Sequence, residues 1–223
     1  MTDALDIDIA PGPAILVSLA GLDGAGKTTQ ARLLAQWLAG CGYATAIEAP
    51  PGPSLFRRTL SELALERGVA DYHDVFGREV TQLLQAFMRY RDWAERVLPA
   101  LPAHQWVITD RSAVCHYAAA RAVGATNEAD LRLVLGRLPR PDLIIYLDVP
   151  PAQAHRRLTE RSSGQEETAY LRANDRAYRE LPEFPAFEVV PGTGSVTQVQ
   201  ALVRQALRRH FPGAGIEIIV SRP

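Results

Sequence analysis

Five short apolar runs, separated by longer stretches of helical periodicity, predict an α/β fold with a central five-stranded parallel sheet flanked by helices. The runs lie at 14–19, 43–48, 106–109, 143–147 and 187–190 and are too continuously apolar to leave one face in water. Strands buried on both faces belong to parallel sheets, whose crossovers are normally helices. A chain of 223 residues, 47% hydrophobic and 22% charged, holds one compact domain with a sizeable core.

In order, the first strand runs into a glycine-rich stretch, then into a helix over 28–38 with Leu33, Leu34, Trp37 and Leu38 on a common face. Pro50-Pro51-Gly52-Pro53 makes a stiff turn after the second strand. A long helix is expected over 80–101, carrying Leu83, Leu84, Phe87, Trp93, Val97 and Leu98. Further helices are expected over 152–161, 166–181 and 196–210, with Ser162-Ser163-Gly164 as a loop inside a helical hairpin. Residues 1–13 read as a flexible acidic segment, 14–211 as the domain, and 212–223 as an extension whose Ile216-Glu217-Ile218-Ile219-Val220 run could add an edge strand.

The charge balance narrows the partners. With 24 basic and 25 acidic side chains the net charge is −1, which argues against a protein that coats nucleic acid or an anionic membrane. No apolar run approaches a membrane span, and the N-terminus lacks a signal-peptide pattern. Cys41 and Cys115 make neither a disulfide framework nor a metal site and suit a reducing, cytoplasmic setting.

Parallel topology gathers the strand C-termini at one edge, so functional residues are expected after Leu19, Ile47, Thr109 and Leu147. The first such junction is Gly21-Leu22-Asp23-Gly24-Ala25-Gly26-Lys27-Thr28, with Thr29 following. Strand before and helix after, it fits the phosphate-loop pattern: Gly21, Gly24, Ala25 and Gly26 let backbone N–H groups converge on phosphate. Lys27 would reach the β- and γ-phosphates of ATP, and the Thr28 hydroxyl would hold Mg²⁺. The plain alternative is a glycine turn. Against it, Lys27 is the one lysine in a chain with 23 arginines, so an ammonium is placed where a guanidinium fork does not substitute.

From Ser18 to Gln30, this segment resembles the opening of thymidylate kinases. Val107-Ile108-Thr109-Asp110-Arg111 resembles the family's Asp-Arg motif, and Arg140-Pro141-Asp142 through Pro150-Pro151 its fourth strand and following turn. Tyr170-Leu171-Arg172 through Ala177-Tyr178 is similar to the helix after its lid. The resemblance runs from about residue 14 to 210 and implies the P-loop kinase fold with a helical lid, about 155–172. It also implies phosphoryl transfer from ATP with Mg²⁺ to a small-molecule nucleotide acceptor, a pyrimidine nucleoside monophosphate such as dTMP or a modified relative, and homodimers formed through the 80–101 helix.

Carried over residue by residue, the resemblance assigns Asp23 to the acceptor sugar and Arg111 and Arg89 to the acceptor. Asp110 sits beside Mg²⁺, and Gly192 and Thr193 pass the adenine. Position 24 is Gly where some members have a catalytic Arg, which moves that role to lid arginines, Arg157 or Arg161, with Arg172 further along. Arg58 joins the cationic clamps, Tyr117 lines the acceptor pocket, and His116 reads as structural. The acceptor motifs depart from the family: Glu48-Ala49-Pro50-Pro51-Gly52 replaces Arg-Glu-Pro-Gly-Gly, Ser112 replaces a tyrosine, and Gln85 replaces the base-stacking Phe.

Blander readings accompany these. In these blander readings, Arg89 and Arg91 merely pair with Asp92 or Glu95, Arg156, Arg157 and Arg161 form a solvated face, and Trp37, Trp93 and Trp106 serve the core. Two other functions remain open at this point. Asp110-Arg111-Ser112 with Glu48 also resembles deoxynucleoside kinases, where Glu48 would act as general base on a hydroxyl. A nucleotide-binding regulator without kinase activity is the third reading.

Overall fold

The computed structural model describes residues 14–48, 54–160 and 168–212. Strands β1 (Ile15–Gly21), β2 (Thr45–Glu48), β3 (Trp106–Asp110), β4 (Leu143–Asp148) and β5 (Glu188–Pro191) form one sheet in the order β2-β3-β1-β4-β5. Every pairing is parallel. All five expected strands are present to within two residues at each end. The register sets Leu19 beside Asp110, Gly21 beside Leu147 and Glu48 beside Thr109, which aligns the strand ends that carry the motifs.

Residues 16–21 of β1 are all buried, as a central strand covered on both faces requires. Two helical groups flank the sheet. Helices α1 (Lys27–Gly40) and α10 (Val196–His210) pack together, and α10 starts with a capping box between Ser195 and Gln198. The second group comprises α4 (Arg78–Asp92), α6 (Ala113–Ala122), α7 (Glu128–Leu135) and α9 (Thr168–Arg179), with α8 (Pro151–Glu160) against α9. Helices α2 (Ser54–Glu66) and α3 (Tyr72–Phe76) precede α4. The possible edge strand at 216–220 lies outside the described residues.

The expected single helix over 80–101 is broken. It is α4, then a π-helical turn at Trp93–Val97 and a short α5 (Leu98–Ala100). Pro99 offers no N–H and crowds the carbonyl four residues back. The backbone widens just before it, and the Leu98 N–H donates to the Trp93 carbonyl five residues away.

Helix α4 has its polarity reversed. Thr81, Gln82, Gln85 and Arg89 share its buried face with Ala86, whereas Val80, Leu84 and Phe87 stand 55%, 45% and 54% exposed. Leu84 and Phe87 therefore face outward rather than into the core expected from their spacing. Burying four polar side chains while exposing three apolar ones opposes hydrophobic burial, so both faces need another explanation.

Candidate active site

The loop between β1 and α1 is built by its glycines. Gly26 caps α1 with φ +95°, a left-handed conformation in which most side chains are strained. Gly24, at φ +83°, lies so close to α8 that a Cβ would meet the Ala154 carbonyl oxygen at 2.3 Å. The absence of an arginine at position 24 thus has a packing cause: helix α8 occupies the space.

Lys27 opens α1 and is only 5% exposed. Its Nζ donates to the Leu22 carbonyl at 2.7 Å and to Asp23 Oδ1 at 3.4 Å, curling the ammonium back over the loop. The Thr28 hydroxyl donates to Asp110 Oδ2 across the β1–β3 edge. Asp110 Oδ1 is buried without a hydrogen-bond partner. A hydroxyl and an unsatisfied carboxylate oxygen side by side are hard oxygen donors suited to Mg²⁺.

Arg111 is the one non-glycine residue with positive φ among the described residues, at +84°. Its N–H still donates to the Leu19 carbonyl at 3.1 Å, extending the ladder before the chain turns. The side chain crosses to Asp23, where Nη2 donates to Oδ1. A strained backbone of this kind costs of order 1–3 kcal/mol and clusters at functional sites. Asp23 therefore joins the phosphate loop, through Lys27, to the end of β3, through Arg111.

Beyond Arg111 lies a buried polar cluster. Arg89 is 2% exposed and its Nε donates to His116 Nε2 at 3.2 Å. Its Nη1 is buried without a partner, as are Gln85 Nε2 one turn earlier and the Ser112 hydroxyl. Ser112 precedes α6 as its N-cap residue, yet its hydroxyl makes no capping bond. Burial lowers the His116 pKa well below the usual imidazole range, and the guanidiniums of Arg89, Arg111 and Arg57 push it the same way. Burial also lowers the pKa of Arg89, opposed by Cys115, Asp92 and Asp110.

On the other side of the loop, α8 is tied to the segment after β5. Arg157 Nη2 donates to the Gly192 carbonyl at 3.0 Å, Gln153 Nε2 to that of Thr193 at 3.4 Å, and the Gly192 N–H to that of Asp148 at 2.8 Å.

The family model for thymidylate kinase matches residues 19–203, spanning the loop, the Asp110-Arg111 pair, α4, α8 and α9. The chain belongs to the thymidylate kinase family. It is 35% identical over 175 residues to the thymidylate kinase of Thiobacillus denitrificans, covering 77% of this chain and 78% of that one. A probable thymidylate kinase of Pyrococcus abyssi is 34% identical over 203 residues, covering 86% and 96% respectively. That of Caldanaerobacter subterraneus subsp. tengcongensis, a thymidylate kinase, is 27% identical over 208 residues, covering 90% and 98%.

Within this thymidylate kinase family member, the remaining predicted residues have the following neighbours. Tyr117, expected in the acceptor pocket, has the Arg132 guanidinium 4.3 Å from its ring centre, in a charged group with Glu128 and Glu183. His116, expected to be structural, is buried and accepts a hydrogen bond from Arg89. Counting helical phase from Ser112 would have found it, since positions four apart share a face. Arg58 is exposed, with Glu62 3.7 Å away, and the neighbouring Arg57 is the one close enough to act on His116. Glu48 Oε2 accepts from Arg96 Nε at 3.0 Å. Arg172 is exposed on α9, Arg156 lies near Glu160, and Arg161 falls outside the described residues.

Proposed function

We propose that this chain transfers the γ-phosphoryl group of ATP to deoxythymidine 5′-monophosphate, giving ADP and the diphosphate. The observation that carries this reading is the linked set Lys27, Asp23 and Arg111, with the buried Arg89–His116 pair within the electrostatic reach of Arg111. A phosphate loop at one end and guanidiniums at the other suit two phosphate-bearing substrates placed end to end.

In this reading the loop backbone from Gly21 to Thr29 and the N-terminus of α1 cradle the ATP phosphates. Lys27 moves from Leu22 and Asp23 to the β- and γ-oxygens. Thr28 and Asp110 hold Mg²⁺, which when bound offsets the charge spread over the transferring group. Arg111 and Arg89, with Arg57 nearby, hold the acceptor, whose phosphate oxygen attacks without needing a general base. Asp23 orients Arg111 and releases Lys27 for the nucleotide. Gly192 and Thr193 border the adenine, with Arg157 bracing them. The Arg157 bond to Gly192 supports a nucleotide-holding role for that arginine over direct charge stabilisation at the γ-phosphate.

The hydroxyl-acceptor reading is weaker because Glu48, its required base, already accepts a hydrogen bond from Arg96. We assign 14–211 to a single phosphotransferase domain working in the cytoplasm. The exposed Val80, Leu84 and Phe87 stripe supports pairing with a second copy of the chain, because one helical turn separates successive members and the face is otherwise wet.

The test is ATP turnover against nucleoside monophosphates and free nucleosides, with products identified by mass. One added phosphate on dTMP supports the reading. Turnover confined to unphosphorylated nucleosides would contradict it.

A further inference from the structure

Arg89 is a guanidinium in a costly position. Almost fully buried on α4, it has one nitrogen, Nη1, without a hydrogen-bond partner among the described residues, and its Nε meets an imidazole rather than a carboxylate. The partner of Nε is His116 Nε2, on a different helix and 27 residues later. Arginine has no acceptor atom and stays protonated, so the bond fixes the imidazole: Nε2 must carry the lone pair and Nδ1 the proton. A neutral imidazole thus holds a charged guanidinium, where a carboxylate would have neutralised it.

That choice has a consequence for an anionic substrate. A carboxylate at position 116 would tie up Arg89 in a closed ion pair and cancel its charge. A neutral acceptor orients the same group while leaving the full positive charge available. The surrounding cations, Arg57 and Arg111, keep proton uptake by His116 unfavourable. The groups facing this cluster from neighbouring elements also include Asp92, Asp110 and Cys115, which act on Arg89.

We propose that His116 is a positioning residue of the acceptor site, holding Arg89 by its Nε so that the unpartnered Nη1 is presented, fully charged, to the nucleotide acceptor. This rests on the assignment of Arg89 to the acceptor, and the test separates the two. His116→Leu removes the acceptor atom, His116→Asn restores a carbonyl oxygen, and Arg89→Met removes the group being positioned. Steady-state KM for dTMP and for ATP is measured for each variant and for the double variant His116→Leu/Arg89→Met, with thermal unfolding as a check on folding.

The expected result is a roughly tenfold rise in the dTMP KM for His116→Leu, with the ATP KM within about twofold and partial recovery in His116→Asn. In the Arg89→Met background, His116→Leu adds nothing further, because there is no guanidinium left to position. A His116→Leu protein that folds and keeps its dTMP KM overturns the proposal while leaving Arg89 as a ligand. Additive effects in the double variant overturn it as well, since they assign His116 an independent role. An unchanged dTMP KM in Arg89→Met overturns the acceptor assignment and the proposal with it. His116→Ala takes the place of leucine in the same cycle if the leucine variant does not fold.

Discussion

The phosphate-loop side and the acceptor side of this molecule are built on opposite principles. On the loop side, eight consecutive residues supply the site, and its ammonium is satisfied locally: Lys27 bonds Leu22 and Asp23 within five residues. On the acceptor side, Gln85, Arg89, Ser112 and His116 come from two helices and a strand end, and three of their polar atoms are buried without partners. Leaving such atoms unmet costs about 1–3 kcal/mol each, a cost that a bound ligand would remove. In the proposed reaction the first design would serve a phosphate chain common to many reactions and the second one particular acceptor.

The largest effect is expected from removing the loop ammonium. Lys27→Ala is expected to lower kcat by about 1,000-fold, because a donor aimed at developing charge is lost, while unfolding temperature changes little. If turnover stays within tenfold of the original, the loop is not a catalytic phosphate site. Steric pressure at the junction comes next. Gly24→Ala sets a Cβ against the Ala154 carbonyl, and we expect about 1–3 kcal/mol of destabilisation in denaturant unfolding. An unchanged midpoint would mean that α8 moves aside freely.

The outward face of α4 is open to a separate test. Phe87→Glu places a charge in the Val80–Leu84–Phe87 stripe and should shift the mass seen by light scattering from two chains to one. A wild-type protein already of single-chain mass would contradict the pairing. The smallest expected effect is on acid stability. Both His116 and His73 have pKa values lowered chiefly by burial, so below the ordinary imidazole value of 6.5 the unfolded chain binds more protons than the folded one. Stability should therefore fall as pH drops below 6.5, and His73→Gln should flatten part of that fall. A stability that rises on acidification through this range would contradict the burial of both rings.

These contrasts also explain what was legible in the sequence. The five strands, the phosphate loop and the Asp110-Arg111 pair follow from short-range patterns, in which spacing along the chain is nearly spacing in space. The face presented by α4 was not legible, because Leu84 and Phe87 have core-like spacing and only the folded chain shows them outside. That Arg57 rather than Arg58 acts on His116, and that His116 rather than Tyr117 meets Arg89, was not legible for one reason. A one-residue error in helical phase turns a side chain by about 100° and changes its neighbours entirely. Packing also set limits that spacing does not record, as where α8 closes the space beside Gly24.

We propose the acceptor side as a cationic site for a phosphate monoester. Calorimetric titration of the ATP-free protein with dTMP and with thymidine tests it most directly. We expect dTMP to bind at least about 100-fold more tightly, since charge-assisted bonds from buried guanidiniums contribute about 1.5–3 kcal/mol each. Equal affinity for the two would show that the guanidiniums do not engage the phosphate, and would contradict the account.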